Sequence, residues 1–140
     1  MHTTTIFVVP TSPTSVQAET ISGQPNQLLV TWQPPAIPNG LISSYRTFCF
    51  RSEKGPTDIS DDSGSGTETV MMNITFEDSI SNITVLGSEL SAVVGGLDPY
   101  IRYDCIVTAS TLIGDGPPSY FVSGVTDQSS KLLNLATQLK

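Results

Sequence analysis

Three observations predict an all-β fold, an antiparallel sandwich. Apolar side chains recur with a period of two, as in Leu28-Val30-Trp32 and Tyr103-Cys105-Val107-Ala109. The alternating stretches are short and are separated by Gly, Pro, Asn and Asp, the residues that turn a chain. No ten-residue helical periodicity precedes the C-terminal tail.

The elements follow in order. Thr11-Ser12-Pro13-Thr14-Ser15 reads as a lead-in linker, with Pro13 at the start of the domain, and strand character begins at Val16. Leu28, Val30 and Trp32 share a buried face, and Pro34-Pro35 ends that strand because proline cannot donate to the ladder. Asn39-Gly40 turns the chain into a strand over Tyr45–Phe50, where Tyr45, Thr47 and Cys49 share one face. Residues 53–68 are polar and read as a long exposed loop. Val70, Met72, Ile74 and Phe76 alternate next, then Ile83 and Val85, then Ala92 and Val94 toward Leu97. After Tyr103–Ala109, Gly114-Asp115-Gly116-Pro117-Pro118 is a turn, and a last strand runs from about Ser119 to Thr126. Leu132, Leu135, Ala136 and Leu139 line one face of a short helix in the tail, marginal on its own.

A chain of 140 residues suits one domain with a real core. Thirteen acidic against six basic residues, a net charge of −7, argue against nucleic acid or an anionic membrane as partner. No apolar run approaches the roughly 20 residues of a membrane span. Ile6–Val9 is the only apolar run near the start and no basic residues stand before it, so no signal peptide is expected in this stretch.

Trp32-Gln33-Pro34-Pro35, Asn39-Gly40 with Tyr45, Leu97-Asp98-Pro99 with Tyr103, and Gly114–Ser119, following Pro13, together resemble a fibronectin type III domain over residues 13–126. The resemblance implies an immunoglobulin-like β-sandwich of seven strands. Trp32 and Tyr45 would belong to the core, and Leu97 with Tyr103 would form the tyrosine corner, a phenol bonded back to upstream backbone. Residues 1–12 are then a linker or extension and 127–140 a tail. An immunoglobulin domain is the rival, since Tyr103-Asp104-Cys105 looks like its Tyr-x-Cys. That fold needs a Cys before the buried Trp, and none precedes Trp32.

The sequence departs from the family between about Glu53 and Ser81, by roughly 15–20 residues more than such connections usually have. Val70–Phe76 and Asn82–Leu86 are expected to pair as an enlarged hairpin inserted after the third strand. A tolerated surface insertion without a role is the plain alternative.

Catalysis has no support. His2 is the only histidine and lies at the terminus, so no Ser-His-Asp or Cys-His arrangement can form. Asp61-Asp62 and Glu77-Asp78 are sequence neighbours in loops, not carboxyls opposed across a cleft. Gly114-Asp115-Gly116 lacks the lysine and helix of a phosphate loop. Solvation is the plainer fate of Asp58, Asp61 and Asp62 than a bound cation. No catalytic, cofactor or metal residues are therefore assigned.

Asn73-Ile74-Thr75 and Asn82-Ile83-Thr84 are N-glycosylation sequons, and the strand parity turns both asparagines to solvent. Asp61-Asp62-Ser63-Gly64-Ser65-Gly66 resembles a glycosaminoglycan attachment context, though a flexible polar linker has the same composition. The resemblance places the strands of Cys49 and Cys105 side by side. A cross-strand disulfide and two buried thiols both stand, with the thiols favoured because adjacent-strand geometry often strains the bond.

The expected role is a non-catalytic protein-binding or spacer module of an extracellular adhesion or receptor protein, monomeric and without membrane insertion of its own. The alternatives are an accessory spacer of a secreted enzyme and an intracellular scaffold module. No Arg-Gly-Asp and no Trp-Ser-x-Trp-Ser is present. A protein partner is expected at the 53–81 insertion and the 111–118 turn.

Overall fold

The computed structural model describes residues 8–57 and 78–129, and these form two antiparallel sheets packed face to face. Strands β1 (Thr14–Thr20), β2 (Leu28–Gln33) and β5 (Ser91–Val94) make the first sheet, in the order β1-β2-β5. Strands β3 (Ser44–Arg51), β4 (Ser81–Leu86), β6 (Arg102–Ser110) and β7 (Val122–Val125) make the second, in the order β4-β3-β6-β7. No α-helix occurs among the described residues.

The period-two pattern is what builds the core. Leu28, Val30 and Trp32 from β2 and Ala92 and Val94 from β5 face Tyr45, Cys49, Tyr103, Cys105, Val107 and Ala109 across the sandwich, all buried. Ile83 and Val85 of β4 close one side of it, half-buried. The ring centres of Trp32 and Tyr45 lie 5.3 Å apart with a tilt of 53°, within the range where aromatic pairs add to simple area burial. Thr47 lies in the same row of β3, fully buried, and its hydroxyl has no hydrogen-bond partner among the described residues.

Cys49 and Cys105 are joined by a disulfide, so the favoured pair of buried thiols gives way to the cross-link. The register explains it. The two residues stand directly opposite each other on β3 and β6, with α-carbons 4.2 Å apart, and both side chains point into the core.

The other face of the second sheet is less simple than alternation implies. Phe48, Phe50 and Ile106 have outward parity and are nonetheless buried, with Phe121 packed against them. Phe50 and Phe121 meet edge to face at 5.8 Å, and the Arg46 guanidinium lies 5.9 Å from the Phe48 ring centre. The segment Phe48-Cys49-Phe50 is thus buried on both faces of its strand.

The crossover from β5 to β6 is pinned by polar contacts. Leu97 is buried, and its carbonyl accepts Asn26 Nδ2 at 2.7 Å. The Tyr103 hydroxyl accepts the Asp98 amide at 2.8 Å, the corner that the resemblance implied. Buried Thr126 donates its Oγ1 proton to the Asp98 carbonyl at 2.6 Å and accepts the Ile101 amide at 3.0 Å. Asp127 accepts the Gly23 amide at 2.9 Å and the Gln128 amide at 2.8 Å, and these two bonds, the first the larger, hold its carboxyl below the usual range.

One arm of the expected hairpin, Asn82–Leu86, falls within β4, which pairs with β3 in continuous register from Ser44↔Leu86 to Cys49↔Ser81. The other arm, Val70–Phe76, lies outside the described residues, as do the Asp61–Gly66 stretch and the tail helix at 132–139.

Candidate functional site: an apolar pole

The lead-in and two loops meet at one end of the sandwich. Within the stretch read as a linker, Val9 accepts Asn39 Nδ2 at 2.8 Å, Pro10 is buried, and the Thr11 amide donates to the Ile37 carbonyl at 3.0 Å. The Ile37 amide in turn donates to Thr11 Oγ1 at 3.0 Å. These bonds zip residues 9–11 onto the β2–β3 connection. Asn39 and Gly40 make its turn, both at positive φ, 55° and 138°, which asparagine and glycine tolerate best.

The β6–β7 turn sits against both. A Cβ placed on Gly114 would lie 3.6 Å from Val9 Cγ1, and one on Gly40 would lie 3.8 Å from Thr111 Cγ2. The turn is held by its own bonds: Thr111 and Gly114 exchange amide–carbonyl bonds at 3.1 and 3.2 Å, and Ile113 donates its amide to Thr111 Oγ1 at 3.2 Å. Ser110 Oγ donates to the Asp115 carboxylate, and the Gly116 amide reaches the Ala109 carbonyl at 2.8 Å. The β4–β5 turn joins the same end, through the Gly87 amide on the Ser43 carbonyl at 3.0 Å.

These bonded loops present apolar side chains to solvent. Leu112 is 97% exposed at the turn tip, Leu41 88%, and Ile37 57%, with Ile113, Val8 and Val9 beside them. Nineteen charged residues occur in the chain, yet none falls within residues 8–12, 34–43 or 111–114. Exposed Asp115 and Glu89 stand at the margin of this end. Isolated exposed leucines are ordinary; several gathered on hydrogen-bonded segments that carry no charge of their own, with charge only at the edge, have the composition of an interface centre.

The 111–118 turn named from the sequence is part of this pole. Ile37, Leu41 and the lead-in were not singled out. The signal that could have found them is the charge-free run Pro34–Ser43. Of the 53–81 insertion, the described parts are its two ends, where Ser52 donates its amide to the Arg102 carbonyl at 2.9 Å and Ile80 to the Cys49 carbonyl at 2.9 Å. Asn73 lies outside the described residues, and Asn82 is exposed on β4. Among the described residues no group of three His, Cys, Asp or Glu side chains is gathered to hold a metal, and no helix is long and apolar enough to cross a membrane.

A family model for the fibronectin type III domain matches residues 11–125. The chain belongs to that family, whose domain is a non-catalytic module. It is 32% identical over 120 residues to human receptor-type tyrosine-protein phosphatase F, and 34% identical over 109 residues to mouse Roundabout homolog 1. The matches take in 83% and 76% of this chain but only 5% of either relative, so a single module of a much longer protein is what is shared. Among solved structures, the FN1–FN3 domains of chicken CNTN1 superpose with a TM-score of 0.60 over 85% of this chain and 33% of that one, at 18% identity. That likeness is one of fold.

Proposed function

We propose that this module serves an extracellular adhesion or receptor protein by making protein contact through its apolar pole, and that it catalyses nothing. The observation that carries the reading is the exposed apolar surface of Leu112, Leu41 and Ile37 on loops fixed by hydrogen bonds. Fixed loops lose little conformational entropy on docking, so the apolar area they offer is turned into affinity with small losses. Two further facts support the setting. The Cys49–Cys105 cross-link suits an oxidising compartment. The relatives' names are those of a receptor-type protein and, in the fruit fly Dscam1 at 30% identity over 119 residues, a cell adhesion molecule.

The test is a binding screen of the chain, displayed in multivalent form, against cell-surface ectodomains of the same organism. The expected result is an ectodomain whose binding falls at least about tenfold, about 1.4 kcal/mol, in Leu112→Asp and Ile37→Asp and is unchanged in Glu19→Gln, at an exposed position of β1 in the first sheet. Binding indifferent to both pole variants, or no ectodomain bound, overturns the reading.

A further inference from the structure

We propose that Asn82 carries an N-linked glycan. The triplet Asn82-Ile83-Thr84 supplies the acceptor amide and the hydroxyl two residues on. Such triplets also occur by chance, and a glycan is tolerated only where the folded chain leaves space for it. The fold meets that demand residue by residue. In β4 the burial alternates strictly, with Asn82, Thr84 and Leu86 exposed and Ser81, Ile83 and Val85 turned inward. Ile83 packs against the core, so the middle residue of the triplet anchors the strand while its two functional residues face out together.

The neighbours of Asn82 fit as well. It stands opposite Phe48 in the ladder, on the outer face of the second sheet, and its side-chain amide bonds to none of the described residues. Thr84 stands opposite Arg46, whose Nε donates to the threonine hydroxyl at 3.1 Å, both exposed. A glycan at Asn82 displaces no core contact and breaks no internal hydrogen bond among these residues. It also leaves the apolar pole clear. Leu86 pairs with Ser44 at the pole end of β4, and Asn82 lies four residues farther along, about 13 Å at the rise of a strand.

The donor is an oligosaccharide linked through pyrophosphate to a lipid. Asn82 Nδ2 forms a bond to C1 of the terminal N-acetylglucosamine as the C1–oxygen bond to the pyrophosphate breaks. The amide loses one proton to base, and lipid pyrophosphate leaves with the bonding electron pair. No oxidant or reductant is involved.

The inference rests on the extracellular reading of the module, and the two are tested apart. The chain is secreted from eukaryotic cells behind an added signal peptide, with Asn73→Gln as background so that one triplet remains. Intact mass is read before and after peptide-N-glycosidase. The expected result is a glycan on the Asn73→Gln chain, released with conversion of residue 82 to aspartate. Adding Asn82→Gln or Thr84→Ala removes it, and Thr84→Ser retains it, which separates loss of the acceptor from a general folding defect. A secreted, folded Asn73→Gln chain without a glycan at residue 82 overturns the inference. So does a glycan that survives Asn82→Gln. The ectodomain screen, run on the Asn73→Gln/Asn82→Gln chain, does not depend on the answer, so either reading can fail alone.

Discussion

The Tyr103 hydroxyl accepts the backbone amide of Asp98 at 2.8 Å, so a residue of β6 ties down the crossover that brought the chain there. Tyr103 is fully buried and Leu97, beside Asp98, nearly so. Tyr103→Phe keeps the ring in place and leaves a part-buried amide without its acceptor. The expected loss is about 1–3 kcal/mol in urea unfolding, with the slope against urea unchanged because the buried area is the same. A loss no greater than that of an exposed substitution contradicts the role given to this bond.

Thr47 presents the opposite case, a buried group that does not help. Its hydroxyl faces the core between Tyr45 and Cys49 and meets no partner among the described residues. Valine has nearly the same shape and no polar atom to desolvate. Thr47→Val is expected to stabilise the module by about 1 kcal/mol, read as a higher urea midpoint. A destabilised variant would mean that the hydroxyl is satisfied in solution.

These two residues mark how far the sequence is legible. Alternation gave the inward rows of β2, β3 and β6, because one face of each packs on the opposing sheet and a period of two follows from the pleat. The ordered motifs around Trp32, Leu97 and Tyr103 supplied the topology, as the family match over residues 11–125 bears out. Three features were not readable. The state of the cysteines depends on Cys49 and Cys105 being directly opposite rather than offset, a matter of register that composition does not carry. Phe48 and Phe50 break the alternation, since β3 is buried on both faces there. The pole is assembled from three segments distant in sequence, Val9–Thr11, Ile37–Leu41 and Thr111–Gly114, and each alone looks like an ordinary loop.

At the opposite end of the domain, Asp127 gives a pH dependence. The Gly23 amide, and after it the Gln128 amide, favour the ionised carboxylate in the folded chain and depress its pKa. A depressed folded value means the contribution is complete above the unfolded pKa and is lost as pH falls through the folded one. The midpoint advantage of the native chain over Asp127→Asn is therefore expected to be constant near neutrality and to shrink between about pH 5 and about pH 2. Urea midpoints of both proteins across that range check it, and an advantage that persists at the acid end contradicts it.

Gly116 tests whether the lead-in is part of the folded body. A Cβ at this position would collide with the Pro10 carbonyl, while the amide of residue 116 keeps its bond to the Ala109 carbonyl. Alanine is thus compatible with the turn and incompatible with the lead-in lying against it. Gly116→Ala is expected to lift residues 8–11 away from the pole. The amides of Thr11 and Ile37, which bond to the Ile37 carbonyl and to Thr11 Oγ1, then lose hydrogen-exchange protection by about tenfold or more, equivalent to about 1.4 kcal/mol of local opening. Amides of the β3–β6 ladder keep theirs, because that ladder and its disulfide do not depend on the lead-in. Uniform loss of protection across the sheet would show that the turn itself had failed. Unchanged protection at Thr11 would show that Pro10 yields without detaching, and the pole would then be built on a looser lead-in than its hydrogen bonds indicate.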